Sequence, residues 1–169
     1  MGLQKGTVKL ENDYLNWKKM FDEEKQNLKS IFCEIAIEIE HIGSTAVKGL
    51  FAKPIVDIAI AVNEFSDIEK IKDKLESLYT IKNNEENGEI LLIKEAEEVT
   101  YFLIHVMKID SKRYKDTIDF RNYIRENYDV MKQYEDLKVE LAQIYADDRK
   151  TYTKSKNDFI QNVLNKINK

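Results

Sequence analysis

The nine residues from Pro54 to Val62, PIVDIAIAV, constrain this chain more than any other stretch. Proline has no backbone donor, so it can open or edge a strand but not continue one. The apolar and β-branched residues behind it predict a buried strand over 54–62. Asp57 interrupts that run. A carboxylate inside an apolar strand must be paired or bound, because burying it alone is costly. The strand therefore fixes a core and one site: the fold must bring a metal ion or a basic side chain such as Lys53 to Asp57.

The flanking sequence supplies elements to pack on it. Tyr14, Trp17, Met20, Phe21, Leu28 and Ile31 recur at near-helical spacing, which predicts a helix from 14 to about 30. From Cys33 to His41 the apolar residues alternate with Glu34, Glu38 and Glu40, the period of a strand, with His41 at its end on the apolar side and Cys33 as a small core residue. After a turn at Gly43 there is room for a brief helix within 44–52. Ser66 and Glu69 form a capping-box pattern ahead of Ile68, Ile71, Leu75 and Leu78, predicting a helix that crosses back.

A polar turn over 83–88 precedes a strand at 89–94. A longer strand over 99–108 places Tyr101, Leu103 and His105 on one face. Only helices follow, over 112–127, 128–146 (stripe Tyr134, Leu137, Leu141, Ile144) and 151–167. The expected fold class is α/β or α+β: a mixed sheet with flanking helices and a C-terminal helical segment, in one domain over 1–169, with a core of about 14–110.

Composition narrows the function classes. A net charge of −4 argues against an extended nucleic-acid surface, though not against a local basic pocket. One cysteine cannot form an internal disulfide, which fits a reducing cytoplasm. The first ten residues contain no apolar stretch, Gly6 stands where a myristoylation signal wants a hydroxyl, and the 54–62 run is too short to span a bilayer, so neither a leader nor a membrane is expected.

The stretch GSTAVKGLFAK is not a P-loop: Lys48 precedes Gly49, and Leu50 stands where a hydroxyl would hold Mg²⁺. A different phosphate site fits the spacing. Gly43 and Ser44 can turn into a short helix whose N–H groups face a phosphate, while Asp57 on the next strand holds its Mg²⁺. Ile42-Gly43-Ser44, twelve residues, then Asp57-Ile58-Ala59-Ile60 resembles the nucleotidyltransferase superfamily signature. The resemblance implies that Asp57 and Ala59 point the same way into the site. It also leaves the second acid missing, because Ala59 has no oxygen to offer.

At family level, IEHIGSTAVKGLFAKPIVDI resembles the signature block of the GrpB (UPF0157) family, a branch of that superfamily. The likeness extends to VKLENDYLNW, to the strand with His105, and to DFRNYIREN and YADDRKTYTKSKNDFIQNVL. The missing second acid is typical of the family. Lys48 departs from a common proline, and Leu103 stands where a histidine often precedes the one at His105. Relatives fused to dephospho-coenzyme A kinase imply a partner in nucleotide or coenzyme A metabolism.

The expected site therefore has Asp57 as metal ligand and catalytic centre, with His41 and His105 as acid/base or phosphate groups. Gly43, Ser44, Thr45 and Lys53 contact phosphate, and Arg121 with Arg125, four apart on a helix, form a cationic clamp. Arg149 and Lys156 join from the C-terminal block, Arg149 alternatively being an ion-pair staple. Gly43, Ser44, Asp57, His41 and His105 should converge in one cleft. Three functions remain open: a single-metal nucleotidyltransferase using Mg²⁺, a nucleotide or phosphometabolite binding module, and a protein-interaction module.

Overall fold

The computed structural model describes residues 2–169, and among them six strands form one mixed sheet. The proline-led run becomes its centre. Strand β3 (Val56–Val62) pairs antiparallel with β2 (Glu38–Ile42) and parallel with β6 (Val99–Lys108). Beyond β6 lie β5 (Glu89–Ala96) and β4 (Thr80–Asn84), both antiparallel, and β1 (Leu3–Gln4) pairs with the start of β6.

The alternation of β3 divides the molecule. Val56, Ile58, Ile60 and Val62 turn to one face, where helix α1 (Tyr14–Phe32) lays Trp17, Phe21, Leu28 and Phe32 against them. Ile58 and Ile60 are fully buried, each worth roughly 1.5–3 kcal/mol of transfer free energy. Asp57, Ala59 and Ala61 turn to the other face, which Met107 of β6 and Tyr114 of α3 (Lys112–Glu126) cover toward its end. Helix α4 (Tyr128–Ile144) packs on α3 and on the loop before β3. Then α5 (Arg149–Lys154) and α6 (Asn157–Ile167) close that side.

Several boundaries differ from expectation for local reasons. Cys33 is exposed rather than core: α1 runs to Phe32, Cys33 takes φ 47° in a 3₁₀ turn, and the strand begins only at Glu38. The segment 44–52 holds one 3₁₀ turn, Ser44–Ala46. The helix expected from Ser66 is 3₁₀ over Phe65–Ile71 and α-helical (α2) only over Lys72–Glu76. Glu64 rather than Ser66 is its N-cap, and Leu78 is exposed. Thr80–Asn84 had no strand pattern, yet it pairs along the whole of Thr80↔Ile93 to Asn84↔Glu89. The last expected helix is two, broken between Lys154 and Asn157. In α4 the buried stripe is Tyr134, Lys138 and Leu141, while Ile144 is exposed. No helix among the described residues is long and apolar enough to cross a membrane.

Candidate functional site

The sequence from Ile42 to Asp57 makes a tight return. Gly43 adopts φ 68° and ψ −170°, a region essentially restricted to glycine. A Cβ there would lie 2.6 Å from Asp57 Oδ2. The glycine is therefore required twice, for its backbone and for the close approach of the carboxylate.

Asp57 shares its face with His105, since Ala59 is the register partner of His105. His105 Nε2 stands 3.6 Å from Asp57 Oδ1, and its Nδ1 stands 2.8 Å from Glu89 Oε2 at the start of β5. Arg113 of α3 holds the other Glu89 oxygen at 2.8 Å. Burial alone would lower the imidazole, but Asp57 and Glu89 overturn it and hold His105 up at about 9, an imidazolium at neutral pH. Glu89 is held below its ordinary range: its burial acts in the opposite sense and is outweighed by His105 and Arg113.

Two lobes open from this row, sharing Gly43, Asp57, His105 and Tyr134. One, of about 340 Å³, is bounded by Glu89, Asp116, Thr117, Phe120 and Gln161, over Met107 and Leu164. The other, of about 260 Å³, is rich in lysine: Lys53, Lys138 and Lys156 line it with Ser44, Thr45 and Thr153. Lys138 is buried; its Nζ donates to Ser44 Oγ at 3.1 Å and to the Phe51 carbonyl. Lys53 and Lys156 place their ammonium groups over the Tyr152 ring, 5.5 and 4.6 Å from its centroid. Burial, then the neighbouring lysines, lowers Lys138 to about 7 and Lys156 to about 8. Lys53 is lowered by burial, with Arg149 adding to it and Asp57 opposing.

The expected residues thus separate. Gly43, Ser44, Thr45, Lys53, Asp57, His105 and Lys156 converge on the cleft. His41 does not: its register partner is Ile58, so it belongs to the α1 face, stacked on Phe21 with centroids 4.8 Å apart. Burial holds it down at about 4, a neutral imidazole, and it reaches the cleft only through Thr45 Oγ1 at 3.0 Å. Arg121 spends Nη1 on Glu40 and the His41 carbonyl, and Arg125 binds the Ala46 carbonyl through Nε and Nη2. They pin the Gly-Ser turn to α3 and line neither lobe. Arg149 borders the lysine lobe but donates to the carbonyls of Thr7, Leu3 and Gln4, a staple made to backbone rather than to a carboxylate.

The donor set does not suit a resident Mg²⁺. Among the described residues no three His, Cys, Asp or Glu side chains are grouped to hold an ion. Asp57 faces an imidazolium, and Glu89 is held by His105 and Arg113. Ala59 does share the face of Asp57 but is fully covered, packed with Ile42, Met107 and Tyr114, so a carboxylate there would meet an apolar cluster.

A family profile described as GrpB protein matches residues 7–166. The chain belongs to the GrpB family. It is 35% identical to the glutamate-rich protein GrpB of Alkalihalophilus pseudofirmus over 173 residues, 99% of each chain. It is 31% identical to the UPF0157 protein YqkA of Bacillus subtilis, covering 86% of this chain and 43% of that longer one. Its fold is similar to the crystal structure of the conserved protein GrpB from Enterococcus faecalis, with a TM-score of 0.81, 31% identity, and 89% and 91% of the two chains covered.

Glu89, Arg113 and Lys138 escaped the sequence reading of this GrpB chain. Glu89 opens a strand beside a polar turn, where an acid reads as solvated. Lys138 carried a usable signal: it lies four residues after Tyr134 and three before Leu141, on the buried stripe itself.

Proposed function

We propose that the cleft binds a nucleotide or related phosphorylated metabolite, with phosphate in the lysine lobe, the rest of the molecule in the second lobe and Asp57 between them. The single observation that supports this most is the convergence of Lys53, Lys138 and Lys156, from three different segments, on the turn at Ser44. Buried or half-buried lysines without matching carboxylates are costly to keep, and an anion answers that cost. The second lobe offers the Asp116 carboxylate, the Thr117 hydroxyl and the Gln161 amide beside the Phe120 ring, a lining suited to a polar body with one flat face.

Any chemistry at the junction belongs to Asp57 and His105. His105 turns Nδ1 to Glu89 at 2.8 Å and Nε2 toward Asp57 at 3.6 Å, so a ligand group reaching Asp57 would meet the Nε2 side of the imidazolium as its proton donor. Two-metal nucleotidyl transfer needs bridging carboxylates that this site lacks, so the reading favoured here is a phosphometabolite-binding member of a nucleotidyltransferase-like fold. Thermal unfolding of the chain with AMP, ADP, ATP and a panel of sugar and amino-acid phosphates, each with and without Mg²⁺, tests it. A rise in Tm with one or more of them is expected. No shift with any would remove the reading.

A further inference from the structure

The lysine lobe holds more positive charge than the acids around it answer. Among the described residues lining it, Asp57 is the sole carboxylate, against Lys53 from the segment before β3, Lys138 from α4, and Arg149 and Lys156 from α5 and the turn after it. Asp57 is itself shared with His105 on β6. Glu135, one turn before Lys138 on α4, draws its own cation from Lys132 at 2.9 Å. The guanidinium of Arg149 is turned onto backbone carbonyls. What remains is Lys53 and Lys156 over the Tyr152 ring, and Lys138 over Tyr134 with two of its three donors on Ser44 Oγ and the Phe51 carbonyl. A ring face offsets part of a cation's desolvation but accepts no strong hydrogen bond.

We infer that this lobe binds the terminal dianionic phosphate of a phosphomonoester through Lys53, Lys138 and Lys156, with the Ser44 and Thr153 hydroxyls, and does so without a divalent cation. This rests on the phosphate-binding reading above and deepens it by naming the ligand class and removing the metal. A volume of about 260 Å³ is small beside the roughly 300–1,000 Å³ of pockets that hold whole drug-sized ligands, so the lobe suits a head group with its body elsewhere. The depressed lysines add a signature. With Lys138 at about 7 and Lys156 at about 8, part of the ammonium population is deprotonated near neutral pH, and an entering dianion draws those protons back.

Calorimetry of the full chain with phenyl phosphate and phenyl sulfate tests this, since the two share a body and differ in charge. Titrations at pH 7.5 in EDTA and in Mg²⁺, in two buffers of different ionisation enthalpy, complete the design. Phenyl phosphate should bind equally well with and without Mg²⁺ and take up protons, and phenyl sulfate should bind about tenfold or more weakly. Lys53→Met and Lys156→Met should each lose about tenfold in affinity with an unchanged circular dichroism spectrum. Lys138 also holds the Phe51 carbonyl, so these two variants keep the test independent of its fold role. Binding that appears only with Mg²⁺ overturns the inference while the phosphate-binding reading stands. Equal affinity for the sulfate overturns the dianion. Failure of these probes and of the nucleotide panel, with or without Mg²⁺, overturns both.

Discussion

The two faces of the sheet each bury a cluster of charge, and they are built in opposite ways. On the α1 face, Glu24 is almost wholly buried, yet Tyr79 donates to one of its oxygens at 2.6 Å, and Lys94 at 2.6 Å and Asn27 at 3.2 Å donate to the other. Each charge there has its partner. On the other face, three lysines share one carboxylate that is already engaged by His105. Burial alone therefore does not distinguish a structural charge from a functional one. The balance of donors and acceptors does: a satisfied cluster holds the fold, and an unbalanced one is where a ligand site is to be sought.

The largest expected effect is at Glu24. Glu24→Ala leaves the Tyr79 hydroxyl and the Lys94 ammonium without their acceptor, and should cost about 3 kcal/mol in urea unfolding. A cost near zero would mean that a satisfied set of donors and acceptors does not mark this cluster as structural. On the cleft side the comparable structural demand falls on Gly43 rather than on any charge. Gly43→Ala forces a side chain into a glycine-only conformation and against Asp57, at about 2 kcal/mol.

Lys94 and Lys156 are both half-buried lysines, one on each face of the sheet. Lys94→Met strips the ion pair from a buried carboxylate and should lower stability by about 1.5 kcal/mol. Lys156→Met removes a cation repelled by Lys53 and resting on Tyr152, and should leave the ligand-free protein as stable or more so. The same substitution thus carries opposite signs in the two clusters, readable from Tm at pH 7. A large loss at Lys156 would place that lysine in the structural class.

How much of this was legible in the sequence follows the same division. The Asp57 strand and the Gly43 turn could be read, because a strand's period and a glycine's conformational need are local, whereas the approach of His105 to Asp57, an expectation from the family likeness, depends on the β3–β6 register. The alternation puts His41 on the apolar side of its strand, as found, but that side faces α1 with Ile58 rather than the cleft, and which face carries the site is decided by packing. Glu24 and Lys138 were passed over because a charged residue on an apolar stripe reads as noise until its partner is known. Those partners lie 70 residues away for Glu24 with Lys94, and 94 for Lys138 with Ser44. Arg121 and Arg125 were correctly seen to share a helix face, but whether that face meets a substrate or a loop is settled by packing. The short β4 is held by its partner strand, not by its own composition.

The smallest predicted effect is a pH dependence in which the site's groups oppose one another. Lys138 and Lys156 have folded values of about 7 and 8, below the ordinary 10.5, so from about pH 7 upward the unfolded chain holds more protons and stability rises with pH. His105 acts the other way. Its folded value of about 9 lies above the ordinary 6.5, so its contribution is full below pH 6.5 and is lost as pH rises through 9. Between pH 6.5 and 9 the wild type should therefore gain stability modestly, two lysines outweighing one histidine. His105→Gln should steepen that gain. The double variant Lys138→Met/Lys156→Met should reverse it, leaving the loss due to His105 opposed by Lys53 alone. Chemical denaturation at half-unit pH steps reads all three slopes. If the double variant keeps the wild-type slope, the lysines of the cleft are not desolvated in the way their positions require, and the contrast between the two faces loses its electrostatic basis.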